Sequence, residues 1–248
     1  MRLLIDIGNS RLKWRGMGDS PGVSNAVDRE GPGLGVDPAR IWSGVEIPAS
    51  VVVVSVAGEE ADRELASWCQ REWAVEPWFA VSQAEAYGIR NGYTDPSQLG
   101  NDRWVALVAA RGLTLQPFIV VDCGTAVTID GVDSQGIHQG GVIMPGVDVA
   151  ADALNRNTAG IKSGLADEAS PFARTTTDAV VSGSLYGIAG GIERVVDTFR
   201  SRLGREASLL ITGGLAPRVL PLIRIDFSHE QDLVLLGLEQ IAREEAFR

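Results

Sequence analysis

Apolar positions open the chain as a short run over residues 3–7, broken only by Asp6, and return over residues 11–15 after Gly8-Asn9-Ser10. Two runs around a Gly-Asn-Ser turn predict a β-hairpin. Residues 17–38 are rich in Gly and Pro and only weakly patterned, so no element is assigned there. The β-branched run inside "ASVVVVSVAG" (residues 49–58) predicts an inner strand. Ala61, Leu65, Trp68 and Cys69 then recur at helical spacing within residues 59–73. "PWFAVS" predicts a strand. The polar loop "YGIRNGYTDPSQLGNDR" leads from it to the helix "RWVALVAARGL".

The second half repeats this opening. Apolar residues 118–121 end at Asp122, and a second run spans 126–130, so a hairpin is predicted around Gly124-Thr125. "HQGGVIMPG" predicts a strand and a Gly-rich turn, and "VDVAADALNRN" a helix. A long helical pattern runs from 176 to 203 and contains Gly183, Gly187, Gly190 and Gly191. "SLLITGGLA" predicts a strand and a Gly-Gly turn, and "DLVLLGLEQIAREEA" an amphipathic helix. The expected architecture is α/β, with two duplicated lobes that each open on a hairpin and carry helices. The expected boundaries are residues 1–115 and 116–248.

Composition narrows the partners. The 248 residues are 45% hydrophobic and carry a net charge of −10. That charge disfavours nucleic acid or an anionic membrane as the main partner, because both require clustered Lys and Arg. No run approaches the roughly 20 apolar residues of a membrane span, and Asp6 interrupts the first run too early for a signal peptide. The two cysteines, Cys69 and Cys123, suit a reducing compartment. A cytoplasmic protein is expected. Lys13 and Lys162 are its two lysines.

An acid that closes an apolar strand just before a Gly turn, twice at about half-chain spacing, points to phosphate chemistry. Glycine lets the backbone approach a ligand, and successive turn amides favour an anion. Mg²⁺ prefers one or two carboxylates with phosphate oxygens and water. Asp6 would face the metal, Asn9 and Ser10 would donate to phosphate, and Lys13 would neutralise charge. Asp122, Gly124 and Thr125 would form the second such element. The competing reading is a pair of ordinary Asx-stabilised turns. "GPGLGV" (residues 31–36) has the wrong spacing for a dinucleotide loop. His138 and His229 lack ligand spacing to either Cys and are expected to be structural or surface residues. Cys123 should point away from Asp122 into the core. In "LGNDRWVAL", Asn101 is a candidate helix cap with Asp102 in the first turn. The functional alternative makes Asp102 a general base and Arg103 an anion binder.

Taken in order, "DIGNS", "YTDPSQLGNDR", "DCGTAVTID", "GGVIMPG" and "TGG" resemble type III pantothenate kinases. The resemblance implies the acetate-and-sugar-kinase, heat-shock-70 and actin fold, with actin-like, ribonuclease-H-like lobes. It implies ATP-dependent phosphorylation of pantothenate to 4′-phosphopantothenate, with Mg²⁺ and a monovalent cation, K⁺ or NH₄⁺. By that resemblance Asp6, Ile7, Gly8, Asn9, Ser10, Arg11, Leu12 and Lys13 form the first phosphate loop, with Asp6 near Mg²⁺. Tyr93, Gly100, Asn101, Asp102 and Arg103 line the pantothenate pocket. Asp102 is the base, Arg103 meets the substrate carboxylate, Asp122 ligates the monovalent cation, and Thr125 contacts phosphate. Thr176 matches a substrate-contacting threonine contributed across a homodimer interface. Ser10 stands where the family usually has Thr, and Thr175 where Asn or Ser is frequent. Two alternatives remain at this point: a kinase of another small hydroxyl metabolite on the same fold, and a non-catalytic accessory protein of transcription.

Overall fold

The computed structural model describes residues 1–17, 24–158 and 169–245. They fall into two units, Met1–Leu115 with Asp232–Arg248, and Gln116–Gln231. Lys162 lies outside the described residues.

In the first unit, β1 (Arg2–Ile7) and β2 (Arg11–Gly16) form the expected hairpin, with Asp6 opposite Lys13. Next come β3 (Asn25–Asp28), α1 (Pro38–Ile41), β4 (Ser50–Ser55), α2 (Glu59–Trp73) and β5 (Trp78–Ala80). The sheet order is β3-β2-β1-β4-β5, antiparallel through the hairpin and parallel from β1 to β5. Val51 to Val54 are buried on both faces, which explains their unbroken apolar run. On one face Leu3, Ile5, Val51 and Val53 pack with Leu65 and Cys69 of α2. Trp42 closes this layer, with its ring centroid 6.1, 5.1 and 5.4 Å from those of Trp14, Trp68 and Trp73. A small hairpin of β6 (Glu85–Ala86) and β7 (Ile89–Arg90) precedes α3 (Asn101–Leu113).

The second unit repeats the plan. It runs β8 (Phe118–Cys123), β9 (Ala126–Val132), β10 (His138–Pro145), α4 (Val147–Asn157), α5 (Thr176–Leu203), β11 (Ser208–Thr212), α6 (Ala216–Val219) and β12 (Ser228–His229). The order β10-β9-β8-β11-β12 has the same strand directions as the first sheet. Asp6 and Asp122 are each the penultimate residue of their sheet's central strand.

Two expectations are corrected. The final helix, α7 (Leu233–Glu244), groups with the first unit and not with residues 116–231. Its buried face packs on α3 so closely that a side chain on Gly237 would collide with the Val105 carbonyl. The weakly patterned stretch over residues 17–38, given no element, holds β3, and α1 begins at its last residue. Strand β3 is mostly exposed at a sheet edge, where no apolar alternation is required. Among the described residues, no helix is long and apolar enough to cross a membrane.

Candidate functional site

The first turn is closed by Gly8 N–H donating to the Arg11 carbonyl at 2.9 Å, leaving Asn9 and Ser10 exposed at its tip. Asp6 and Lys13 are register partners and so share one face of the sheet, both half-buried. On its other side Asp6 is beside Val54 of β4. The next β4 residue, Ser55, accepts at its carbonyl from Asn101 Nδ2 at 3.2 Å, while Asn101 Oδ1 accepts from Ser82 N–H at 3.0 Å. These bonds fasten the start of α3 beside the end of the central strands. They also correct the capping expectation. Gly100 is the N-cap, with no side-chain cap bond, and the Asn101 amide is occupied by partners outside its helix.

Asp102 stands in the first turn of α3, half-buried, its Oδ1 accepting from Arg103 N–H at 2.8 Å. The unsatisfied N–H groups at a helix start favour the ionised carboxylate there. Arg103 is only 7% exposed. Its Nη1 donates to Tyr93 Oη at 3.0 Å, and its guanidinium lies 5.5 Å from the Tyr93 ring centroid. The structure therefore brings Tyr93, Gly100, Asn101, Asp102 and Arg103 together. Asn91, which the sequence reading passed over, organises the loop between them. It donates to Ser82 Oγ and the Pro96 carbonyl and accepts from Tyr93 N–H. The Asn91-Gly92 pair, a frequent turn signal, was its only sequence trace.

In the second unit three Gly motifs converge on Asp122–Thr125. Gly124 N–H donates to Ala126 O at 3.0 Å, Gly146 N–H to Thr125 O at 3.0 Å, and Leu215 N–H to Cys123 O at 2.9 Å. A Cβ on Gly146 would stand 2.5 Å from the carbonyl oxygens of Gly124 and Thr125. Gly213, at φ +103°, leaves no room for a side chain against Asp122 Oδ1 and the Cys123 carbonyl. Cys123 is buried as expected. Burial first, then the adjacent Asp122 charge, pushes its thiol up to about 12, so it stays neutral. Thr176 is the exposed first residue of α5, capped by Thr175, whose Oγ1 accepts from Asp178 N–H at 3.1 Å.

The histidines behave as expected. His138 is buried against Asp130 at 2.8 Å, and His229 is exposed on β12. Among the described residues no group of three or more His, Cys, Asp or Glu side chains is arranged to hold a metal. Mg²⁺ needs no such cluster, since it is usually held by one or two carboxylates with phosphate oxygens and water. A cleft of about 750 Å³ between α1 and α2, bordered by Pro38, Glu64 and Trp68, contains none of these motifs.

Two copies of a sheet with three antiparallel and two parallel strands, each with an acid at the end of its central strand and a Gly turn beyond it, define the actin-like ATPase fold. Solved structures agree at the level of fold. A conserved Campylobacter jejuni protein described as of the Baf family superposes with a TM-score of 0.61 at 21% identity, covering 98% of both chains. The activator of 2-hydroxyisocaproyl-CoA dehydratase from Clostridium difficile, with bound ADPNP, superposes with a TM-score of 0.52 at 13% identity, covering 100% of this chain and 98% of that one. Within that fold the chain belongs to the type III pantothenate kinase family. The family's profile matches residues 2–198. The type III pantothenate kinase of Nitrosococcus oceani is 40% identical over 251 residues, spanning 98% of this chain and 94% of the relative.

Proposed function

We propose that this protein transfers the γ-phosphoryl group of ATP to the terminal hydroxyl of pantothenate, giving 4′-phosphopantothenate at the start of coenzyme A synthesis. The observation that carries this reading is the Asp102–Arg103–Tyr93 group at the head of α3, set beside the strand that ends near Asp6. Arg103, with its fork oriented by Tyr93, binds the pantothenate carboxylate. Asp102 accepts the hydroxyl proton late in a loose in-line transfer. Gly100 and Asn101 shape the pocket wall. Ile7 and Leu12 anchor the first turn in the core, while Gly8, Asn9, Ser10, Arg11 and Lys13 present it to the phosphates. Thr125 donates to phosphate. Asp6 lies beside the site for Mg²⁺, which, when bound with ATP, neutralises phosphate charge.

Acceptor dependence tests the reading. Turnover of ATP should require pantothenate. Equal turnover with an unrelated hydroxy acid would move the assignment to another small-metabolite kinase of this fold.

Asp122 is proposed to ligate a monovalent cation, K⁺ or NH₄⁺. The wild-type rate should then be higher in K⁺ than in Na⁺, and Asp122→Asn should abolish the difference. A wild-type rate indifferent to the cation removes this role.

A homodimer is also proposed, with Thr176 completing the partner's pantothenate pocket. The larger apolar side chains of α5 do not support it: Val181, Leu185, Ile188 and Ile192 are buried in their own unit's core. The supporting feature is the outer stripe of α5. Thr176, Ala179, Gly183, Gly187 and Gly190 are exposed, and a Cβ on any of these three glycines would meet nothing within 4 Å. Small residues at helical spacing permit close approach of a second helix. Two buried thiols, raised to about 12 by burial, suit a reducing cytoplasm.

A further inference from the structure

We propose that Arg29 is a positioning residue for nucleotide binding: it fixes the peptide planes of the first turn so that the turn's amides face a phosphate. The inference rests on the kinase reading of that turn. Arg29 takes three consecutive carbonyls. Its own N–H donates to Ser10 O at 2.9 Å, and its Nη1 donates to Gly8 O and, at 3.0 Å, to Asn9 O. In a trans peptide the C=O and N–H point to opposite sides. Turning the Gly8 and Asn9 carbonyls toward Arg29 therefore turns the N–H groups of Asn9 and Ser10 away from it. Successive N–H groups facing one way make a concavity that binds anions.

The rest of the guanidinium is held from behind. Nε donates to Leu34 O at 2.9 Å and Nη2 to Gly33 O at 2.5 Å. This second loop is the Gly-Pro-Gly-Leu-Gly stretch whose spacing ruled it out as a dinucleotide loop. Gly31, Gly33 and Gly35 all have positive φ. Glu30 N–H closes the loop on Gly35 O at 2.9 Å, and Leu34 N–H donates to Glu64 Oε2 of α2 at 2.7 Å. Gly33 has φ +65°, a conformation that favours glycine, and a Cβ there would displace the Glu64 carboxylate that holds Leu34 N–H. Burial lowers the Arg29 pKa and the Asp62 charge on α2 opposes that, leaving a cation behind the turn. With its donors on five carbonyls, Arg29 acts through the backbone and not by touching phosphate.

A residue acting this way should alter nucleotide affinity alone. The test is steady-state kinetics on the full chain with ATP and pantothenate varied separately, together with calorimetric binding of Mg·ATP. Arg29→Gln should raise KM for ATP, and Kd for Mg·ATP, by about 10- to 100-fold, the loss expected when hydrogen bonds from a charged group are removed. Its kcat and its KM for pantothenate should hold. Arg29→Lys keeps the charge but not the planar fork, so it should show a smaller rise in the same two constants. If Arg29→Gln does not fold, Arg29→Lys decides. Unchanged nucleotide constants in a folded variant, or equal losses in both KM values and kcat, overturn the inference. A wild-type protein that binds no Mg·ATP overturns the kinase reading and this inference with it. Wild-type binding matched by both variants overturns this inference alone.

Discussion

Replacing Asp102 by Asn is expected to lower kcat by about 10²- to 10⁴-fold, the usual contribution of a positioned general base. The substitution preserves shape and removes the proton acceptor. Asp102 lies in the first turn of α3, where a negative charge complements the helix dipole, and Asn keeps an oxygen to accept from Arg103 N–H. The structural cost should therefore stay near the helix-dipole contribution, at most about 1 kcal/mol. Mg·ATP binding should be retained, because the first turn, Gly8 to Lys13, is built by other residues. Calorimetry, thermal melting and initial rates on the one variant separate these effects. A folded Asp102→Asn protein with near-wild-type kcat removes the base assignment and leaves Asp102 as a dipole-complementing residue.

Mixing two inactive variants is expected to restore activity. Asp102→Asn and Thr176→Ala subunits should each be nearly inactive alone. If each pocket combines Asp102 of one subunit with Thr176 of the other, a heterodimer gathers both lesions in one site and leaves its second site intact. A two-fold interface makes this exchange reciprocal. The exposed glycine stripe of α5 below Thr176 would be the surface for it. Co-expression of differently tagged subunits, tandem purification and rate measurement give the result. No recovery in a verified heterodimer means that each pocket is built within one chain. A monomer in sedimentation at working concentration also rejects the shared pocket.

The sequence was most legible where local pattern and burial coincide. Helices α2, α4 and α5 end where the periodicity placed them, because each carries a buried face, α2 and α5 against their own sheets and α4 against α5. The paired strand-ending acids, Asp6 and Asp122, correctly announced a duplicated sheet. Periodicity shows that a helix buries a face but not against what. Helix α7 was therefore assigned to the second lobe, although its tight fit lies on α3. Likewise the α5 pattern does not say whether Val181, Leu185, Ile188 and Ile192 face a partner or their own sheet, and they lie in the core. At the site, Asn101 looked like a cap because Asn is a good cap residue. Its actual partners, Ser55 and Ser82, are 46 and 19 positions away, and no local pattern encodes such bonds. Arg29 left still less trace. It binds backbone carbonyls, which any sequence supplies, so only the folded chain reveals what it holds.

The proposed kinase stands or falls on phosphoryl transfer from ATP to pantothenate. Its most direct test follows the wild-type protein with Mg²⁺, K⁺, ATP and pantothenate by phosphorus NMR, against a parallel sample without pantothenate. The predicted result is a phosphomonoester signal that grows in step with ADP, identified as 4′-phosphopantothenate by mass, with neither forming in the parallel sample. ADP that accumulates equally with or without pantothenate, or no ADP at all from a folded protein, contradicts the claim.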